Sequence, residues 1–386
     1  MKKSGKFSIL SLSVAIFAMF FGAGNIIFPL IIGKTVGAEI GFGLMGFVIT
    51  AVMVPILGFI AMTAYEGDYE RFFLTLGKFP GLFLIALIMI IIGPFAASRC
   101  VIISYAAIQQ YLPFNLFIYT LIIAGIVFAL TMRESKVVPI LGRVLGPIKI
   151  SLLGLIVVLV VVFFKRVPGS QVSSLSSFIV GLKEGYYTLD LLGAFFFSHL
   201  IYEAMKDRSH GQLTLKQLVW QGTKAGLLGG LFLGIIYGGF GLASAIHSQG
   251  LTAVADENLF SAVAQKVLGD HGSIMANVTV ALATLTTSLA LTTVFADYLH
   301  NEIFKQKFSY IYILIGVILV NIVIENLEFK GVMAILGPAA ILLYPAFIVL
   351  CVVNLMKKYW GFTYVKTIVL LTFLFSVFFQ YIYPMI

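Results

Sequence analysis

Long apolar blocks alternate with short polar segments along the whole chain, and no polar stretch is long enough to form a separate soluble domain. About 20 apolar residues in a helix cross the hydrocarbon of a bilayer. Blocks of that order fall at 8–33, 41–64, 81–111, 113–131, 143–164, 185–204, 222–246, 273–299, 309–324, 330–352 and 362–383. The pattern predicts an all-α polytopic membrane protein of about eleven transmembrane helices, the ninth of them short.

Two of these blocks are interrupted. The first contains Phe20-Phe21-Gly22-Ala23-Gly24-Asn25-Ile26-Ile27-Phe28-Pro29. Gly and Pro weaken a helix, and the Asn amide finds no partner in hydrocarbon. Non-helical backbone persists at membrane depth only where protein buries it or where it lines a polar cavity. The sixth block carries Tyr186-Tyr187-Thr188-Leu189-Asp190-Leu191-Leu192-Gly193 in a matching place five spans later. Paired breaks point to a 5+5 inverted-repeat transporter with its binding site between the repeats. The expected organisation is one transport domain over 1–386, with repeat one at about 8–164, repeat two at about 185–352 and an extra helix at about 362–383.

Several polar residues sit inside the blocks. A charge at mid-bilayer costs roughly 2.5–3.5 kcal/mol on insertion scales, so Asp190 is expected to bind a cation or a substrate ammonium, or to carry a proton. The eighth block holds six hydroxyls between Thr284 and Thr293. That density exceeds ordinary helix packing and suits a dehydrated alkali cation. Arg99 must reach the surface or find a partner, with Asp190 the nearest imaginable carboxylate, and Tyr105 offers an aromatic wall further along. His199 reads as a packed bundle residue. Gly93-Pro94, Gly337-Pro338 and Pro345 are kink positions. Residues 65–80 suggest a short amphipathic helix on the inner membrane surface. Residues 252–270 suggest an outer helix whose Leu259, Val263 and Val267 face membrane or bundle.

Composition narrows the class. The chain is 60% hydrophobic and 11% charged, with a mean hydropathy of +1.06. The net charge of +9 suggests nucleic acid until its distribution is considered. With the N-terminus in the cytoplasm, sixteen Lys and Arg residues fall on the inner side and six on the outer. That bias is a topology signal. Cys100 and Cys351 lie in or beside apolar blocks and imply no disulfide framework. The basic start leads into an uncleaved first helix. Gly22-Ala23-Gly24 lacks the strand and third glycine of a dinucleotide loop, and Gly33-Lys34-Thr35 lacks the leading glycine of a phosphate loop. Neither a histidine set with metal-ligand spacing nor a nucleophile–base pair is present, so the reading is not an enzyme and no cofactor is called for.

The run from Phe17 to Pro29 resembles the opening of bacterial branched-chain amino acid carriers, cation symporters within the amino acid–polyamine–cation superfamily. Gly93-Pro94 with Arg99 and Ser104-Tyr105 is similar to that family's third span, and Glu184-Gly185-Tyr186 with Thr188-Leu189-Asp190 to its sixth. Two features depart from the family: Ser98 stands where it has a proline before the arginine, and Ala106 where it has a glutamate. The family also usually has twelve spans. More distantly the breaks resemble sodium-coupled transporters of the leucine-transporter fold. That likeness implies a set of roles. Asn25 and Thr188 would approach a sodium ion, and Phe20, Gly22, Ala23 and Gly24 would offer backbone to ion or substrate. Tyr187 would close over an aliphatic side chain. Thr286 and Thr287, with the carbonyls of Ala18, Phe21 and Ala283, would form a second sodium site. Asp190 stands where that fold often has a small hydroxyl residue.

The resemblance implies a sodium-coupled importer of leucine, isoleucine and valine working by alternating access. It would sit in the bacterial cytoplasmic (inner) membrane with the lipid bilayer and a small amino acid as its partners. Substrate-binding residues would be Phe20, Gly22, Ala23, Gly24, Tyr105, Tyr187 and Asp190. The alternative is a proton-coupled carrier, or a carrier of another amino acid or a nucleobase. Oligomeric state is open.

Overall fold

The computed structural model describes residues 9–132, 153, 154, 157, 158, 162, 166–169, 171–209 and 213–382. The fifth expected span, 143–164, therefore lies almost wholly outside the described residues, as do Lys2, Lys3, Lys6, Arg133, Lys136, Arg143, Lys165 and His210. Helices make up the fold, with no strand among the described residues.

The first span is two helices, α1 (Ile9–Phe20) and α2 (Gly24–Val36), separated at Phe21–Ala23. A tight turn leads into α3 (Ile40–Val48), which passes through one π-helical stretch, Ile49–Met53, into α4 (Val54–Ala64). After α5 (Tyr69–Phe73) the third span runs through α6 (Lys78–Ile90), a π-helical stretch at Ile91–Ala96 and α7 (Ala97–Ile108). Pro94 lies inside that stretch, where a residue without an N–H and with a bulky ring is tolerated by widening the helix. α8 (Leu116–Thr131) follows.

The second half opens with α9 (Ser174–Tyr186) and α10 (Asp190–Arg208). This corrects the sixth span expected at 185–204. Its helix begins at Ser174, and the break falls at Tyr187–Leu189, ahead of Asp190 and Gly193, which are helical. The polar content of α9 hid its membership from a hydropathy reading. α11 (Leu215–Ile246), α12 (Leu259–Tyr298), α13 (Tyr310–Glu325), α14 (Glu328–Trp360) and α15 (Val365–Val377) complete the chain. α12 is bent at Gly269, whose φ of 68° belongs to the left-handed region that glycine enters freely.

Among the described residues, five helical stretches of 32 residues or more are long and apolar enough to cross a membrane: Gly24–Ala64, Lys78–Tyr111, Leu215–Ile246, Asp256–Ile303 and Glu328–Trp360. Large apolar side chains such as Leu121, Leu231, Leu319, Val323 and Leu371 project outward, as the lipid-facing surface of such a bundle requires. Inside, an aromatic-rich core includes Phe17, Phe28, Phe47, Phe59 and Phe240.

The two broken helices pack in reciprocal fashion. α2 lies on α11 and α9 lies on α3; α1 lies on α11 and α10 lies on α4. Both close seams are built on glycine. A Cβ on Gly33 would collide with the Gly241 carbonyl, and one on Gly181 with the Gly43 carbonyl. Without a net hydrophobic force between helices in lipid, such backbone-to-backbone approach supplies the attraction.

One surface expectation changes. α5 turns its aromatic residues into the protein: Phe72 and Phe73 are fully buried and pack against Phe195, and Phe73 also meets Phe347. Asp68 caps this short helix by accepting the Arg71 N–H. The outer segment enters α12 through a 3₁₀ turn, Asp256–Asn258, and Leu259 and Val263 are buried in the bundle, one of the two faces expected for them. His199 is exposed and sits beside the turn at Gly67.

Candidate functional site

At the first break the backbone changes partner. In a continuous helix the Gly22 N–H would donate to the Ala18 carbonyl; instead it donates to Asn25 Oδ1 at 2.7 Å. Asn25, wholly buried, therefore caps the break with its oxygen. Its Nδ2 donates to Asp190 Oδ2 at 2.5 Å and to the Tyr237 hydroxyl. One amide thus ties α2 to α10 and α11. Ala23 at the head of α2 provides no side-chain cap, so the first amides of α2 present positive dipole ends at the break.

The second break is held from across the bundle. Arg99, 3% exposed, donates Nη1 to the Tyr187 carbonyl at 2.5 Å and Nη2 to the Thr188 carbonyl at 3.2 Å. Its guanidinium also lies over the Phe28 ring, 5.4 Å from the centroid. The arginine neither reaches the surface nor forms an ion pair with Asp190 among the described residues. A planar fork can serve two neighbouring carbonyls at once, which explains why an arginine occupies this depth. Thr188 turns its hydroxyl to the Gly185 carbonyl at 2.9 Å and receives the Asp190 N–H at 3.4 Å. Leu189 takes φ 66° and ψ 17°, a left-handed conformation that a branched residue holds only where its surroundings impose it.

Between the breaks lies a cavity of 50 Å³. Phe20, Gly22, Ala23, Asn25, Thr188, Asp190 and Thr287 line it, all of them residues that the sequence analysis assigned to substrate or ion. Gly24 stands just behind: a Cβ there would lie 3.0 Å from Arg99 Nη2 and 3.0 Å from Thr188 Cα. Thr287 reaches the first break, its Cγ2 within 3.6 Å of where a Gly22 Cβ would be. Thr286 and Thr287 both donate to the Ala283 carbonyl, at 2.7 and 3.1 Å, leaving their oxygen lone pairs available to a cation. Phe21 stacks on Phe17, ring centroids 5.4 Å apart, and its N–H continues α1 by bonding the Phe17 carbonyl.

Two proposed substrate residues lie elsewhere. Tyr105 donates its hydroxyl to the Phe114 carbonyl at 3.2 Å and packs on Tyr119, away from the cavity. Its place on α7 turns it to the neighbouring α8 instead of the breaks. Tyr187 gives its carbonyl to Arg99, while its ring lies 5.8 Å from Phe28 and beside Gly337 of α14. It adjoins the site as a wall of the break without lining the cavity. Tyr237 was missed by sequence reasoning, since a lone tyrosine in a glycine-rich span carries no local signal. Cys100, Gly193, Phe197 and Leu291 also line the space. No group of three His, Cys, Asp or Glu side chains positioned for a metal occurs among the described residues.

A multi-pass helical bundle, with two unwound helices meeting at a small cavity that Asn25, Thr188, Asp190 and Thr287 help to line, has the architecture of a secondary transporter. The sequence profile of the family described as "Branched-chain amino acid transport protein" matches residues 5–382, and the chain belongs to that family. The family is one of transporters and not of enzymes. Branched-chain amino acid permease BrnQ of Bacillus subtilis (strain 168) is 29% identical over 358 residues, covering 89% of this chain and 80% of the relative. BrnQ of Escherichia coli (strain K12) is 29% identical over 366 residues, covering 91% and 81%. BrnQ of Haemophilus influenzae is 30% identical over 370 residues, covering 91% and 82%. The fold is shared with solved structures of Mhp1. The inward-facing conformation aligns with a TM-score of 0.67 at 15% identity, over 91% of this chain and 77% of that one. A closed conformation of this nucleobase-cation-symport-1 family transporter, with bromovinylhydantoin bound, aligns with a TM-score of 0.62 at 15% identity, over 96% and 92%.

Proposed function

We propose that the chain imports leucine, isoleucine and valine by sodium-coupled alternating access, in a bacterial cytoplasmic membrane with its N-terminus inside. The observation that carries this reading is the convergence of Asn25, Asp190, Thr188 and Thr287 on one cavity between two unwound helices. Asp190 receives the substrate ammonium. The uncapped amides at the head of α2 receive its carboxylate, where helix dipole and free N–H groups favour an anion. Phe20 and Phe197 bury the aliphatic side chain, worth roughly 1.5–3 kcal/mol. A sodium ion sits beside Thr286 and Thr287 with the carbonyls of Ala18, Phe21 and Ala283, and a second beside Asn25 and Thr188. A cavity of 50 Å³ holds only about three to five waters at roughly 10–15 Å³ each. Substrate entry therefore requires the breaks to part, as alternating access demands.

The reciprocal packing of the broken helices supports the reading of two inverted repeats of five spans. A cation entering down a potential gains about 2.3 kcal/mol per 100 mV, enough for a roughly fifty-fold gradient at about 1.4 kcal/mol per decade. One coupled ion already suffices for useful accumulation. The deciding experiment is uptake of labelled leucine into proteoliposomes, competed by a panel of amino acids and nucleobases, with imposed sodium or proton gradients. Sodium-dependent uptake blocked by isoleucine and valine is expected. Equal uptake in potassium, or uptake driven by a pH gradient alone, refutes sodium coupling.

A further inference from the structure

The hydroxyl run of α12 serves two faces. Thr287 faces the central cavity, whereas Ser288 and Thr292 line a second, smaller one together with Asn321 and Glu325 of α13. The remaining walls are aliphatic: Val101, Ile123, Ala124, Val127, Ile318 and Ile322. The four oxygen-bearing side chains are at most 4% exposed. Asn321 is fixed in place, its Nδ2 donating to Thr292 Oγ1 at 3.1 Å and its carbonyl accepting from Ser98 at 3.2 Å. Its Oδ1 is buried and has no hydrogen-bond partner among the described residues. Glu325, one helical turn further on, forms no ion pair among them, and no Lys or Arg among them lines the cavity.

A buried carboxylate and an unpaired amide oxygen are each unfavourable. A monovalent cation between them relieves both. The cavity measures 10 Å³, about one water-sized sphere, which admits a bare sodium ion and excludes a hydrated one. Carboxylate, amide and hydroxyl oxygens are the ligands that a hard cation takes after shedding water. We propose that Glu325, Asn321, Thr292 and Ser288 form a sodium site between α12 and α13, apart from the central cavity. Glu325 supplies the charge and Asn321 Oδ1 a neutral ligand; the two hydroxyls complete the shell.

The test uses the full-length protein in detergent and the hydrophobic carboxyl reagent dicyclohexylcarbodiimide, with mass mapping of modified peptides. Glu325 becomes modified in potassium. In sodium at ten times the dissociation constant, its modification falls about tenfold. Asp190 in the same sample reports separately on the central site: protection of Asp190 but not Glu325 overturns this inference and leaves the proposed function standing. Equal modification of Glu325 in both salts, or none in either, overturns it as well. Binding of radioactive sodium gives a second measure, with Glu325→Gln expected to bind one equivalent less than the unaltered chain. Equal stoichiometry overturns the site, and should the variant not fold, the labelling of the unaltered chain decides.

Discussion

Replacing Arg99 by lysine keeps the charge and removes the fork. The guanidinium now holds the Tyr187 and Thr188 carbonyls together, at 2.5 and 3.2 Å, while its face covers Phe28. An ammonium on a flexible stem reaches one of these carbonyls but does not span both in a plane. A hydrogen bond to a charged donor is worth about 1.5–3 kcal/mol, and the orphaned carbonyl stays buried. At about 1.4 kcal/mol per decade this predicts a loss of about tenfold to a hundredfold in transport. The loss acts on the geometry of the break, since Leu189 holds its left-handed conformation between these two clamped carbonyls and the head of α10. Initial leucine uptake in proteoliposomes measures the effect, with size-exclusion profile and melting temperature confirming that the variant folds. Wild-type uptake by a folded Arg99→Lys protein would falsify the assignment of the arginine as the clamp of the second break.

Other perturbations address the remaining parts. Asp190→Asn should abolish uptake while the protein still inserts and purifies as a monodisperse species; retained uptake would make Asp190 structural. Thr287→Ala should raise the sodium needed for half-maximal uptake several-fold, at about 1 kcal/mol for one lost ligand, and an unchanged sodium curve would remove α12 from the central ion site. Gly181→Ala should destabilise the chain by about 1–3 kcal/mol through overpacking against the Gly43 carbonyl, read as a fall in melting temperature in detergent; an unshifted melt would show that α9 and α3 separate without cost.

The long blocks made the bundle legible, because a membrane imposes its thickness on every spanning helix. The first break was equally plain, since Gly22, Gly24, Asn25 and Pro29 stand out against hydrocarbon. The second was placed a few residues late. α9 contains Ser174, Ser176, Ser177, Lys183 and Glu184, and its polarity concealed a helix that packs on α3 by close backbone approach at Gly181 and Gly46. Candidate residues that the motifs carried by backbone position, such as Gly22 and Ala23, fell on the cavity. Tyr105 did not, because the direction in which a side chain leaves its helix depends on phase, and the π-helical stretch at Ile91–Ala96 shifts the phase of everything after it. Tyr237 and the role of Arg99 needed the fold, since each acts on a partner more than 80 residues away in sequence. The hydroxyl run was noticed as one feature; its division between two faces follows only once α7 and α13 are in place around α12.

The glycine seams that join α2 to α11 and α9 to α3 have a mechanical consequence. Interfaces made of interdigitated large side chains lock in one register and must disengage to move. Here the backbones touch directly at Gly33 and Gly181, and a hydroxyl crosses each seam, Ser244 to the Leu30 carbonyl at 2.6 Å and Thr50 to the Leu182 carbonyl at 3.0 Å, so backbone approach and a hydrogen bond together hold each half-helix to its neighbour. Parting the two breaks must either keep these seams together or break those hydrogen bonds, while Asn25 and Arg99 tie the breaks to the opposite helices. The chain thereby separates the seams that carry backbone contact from the side-chain tethers that join the two breaks.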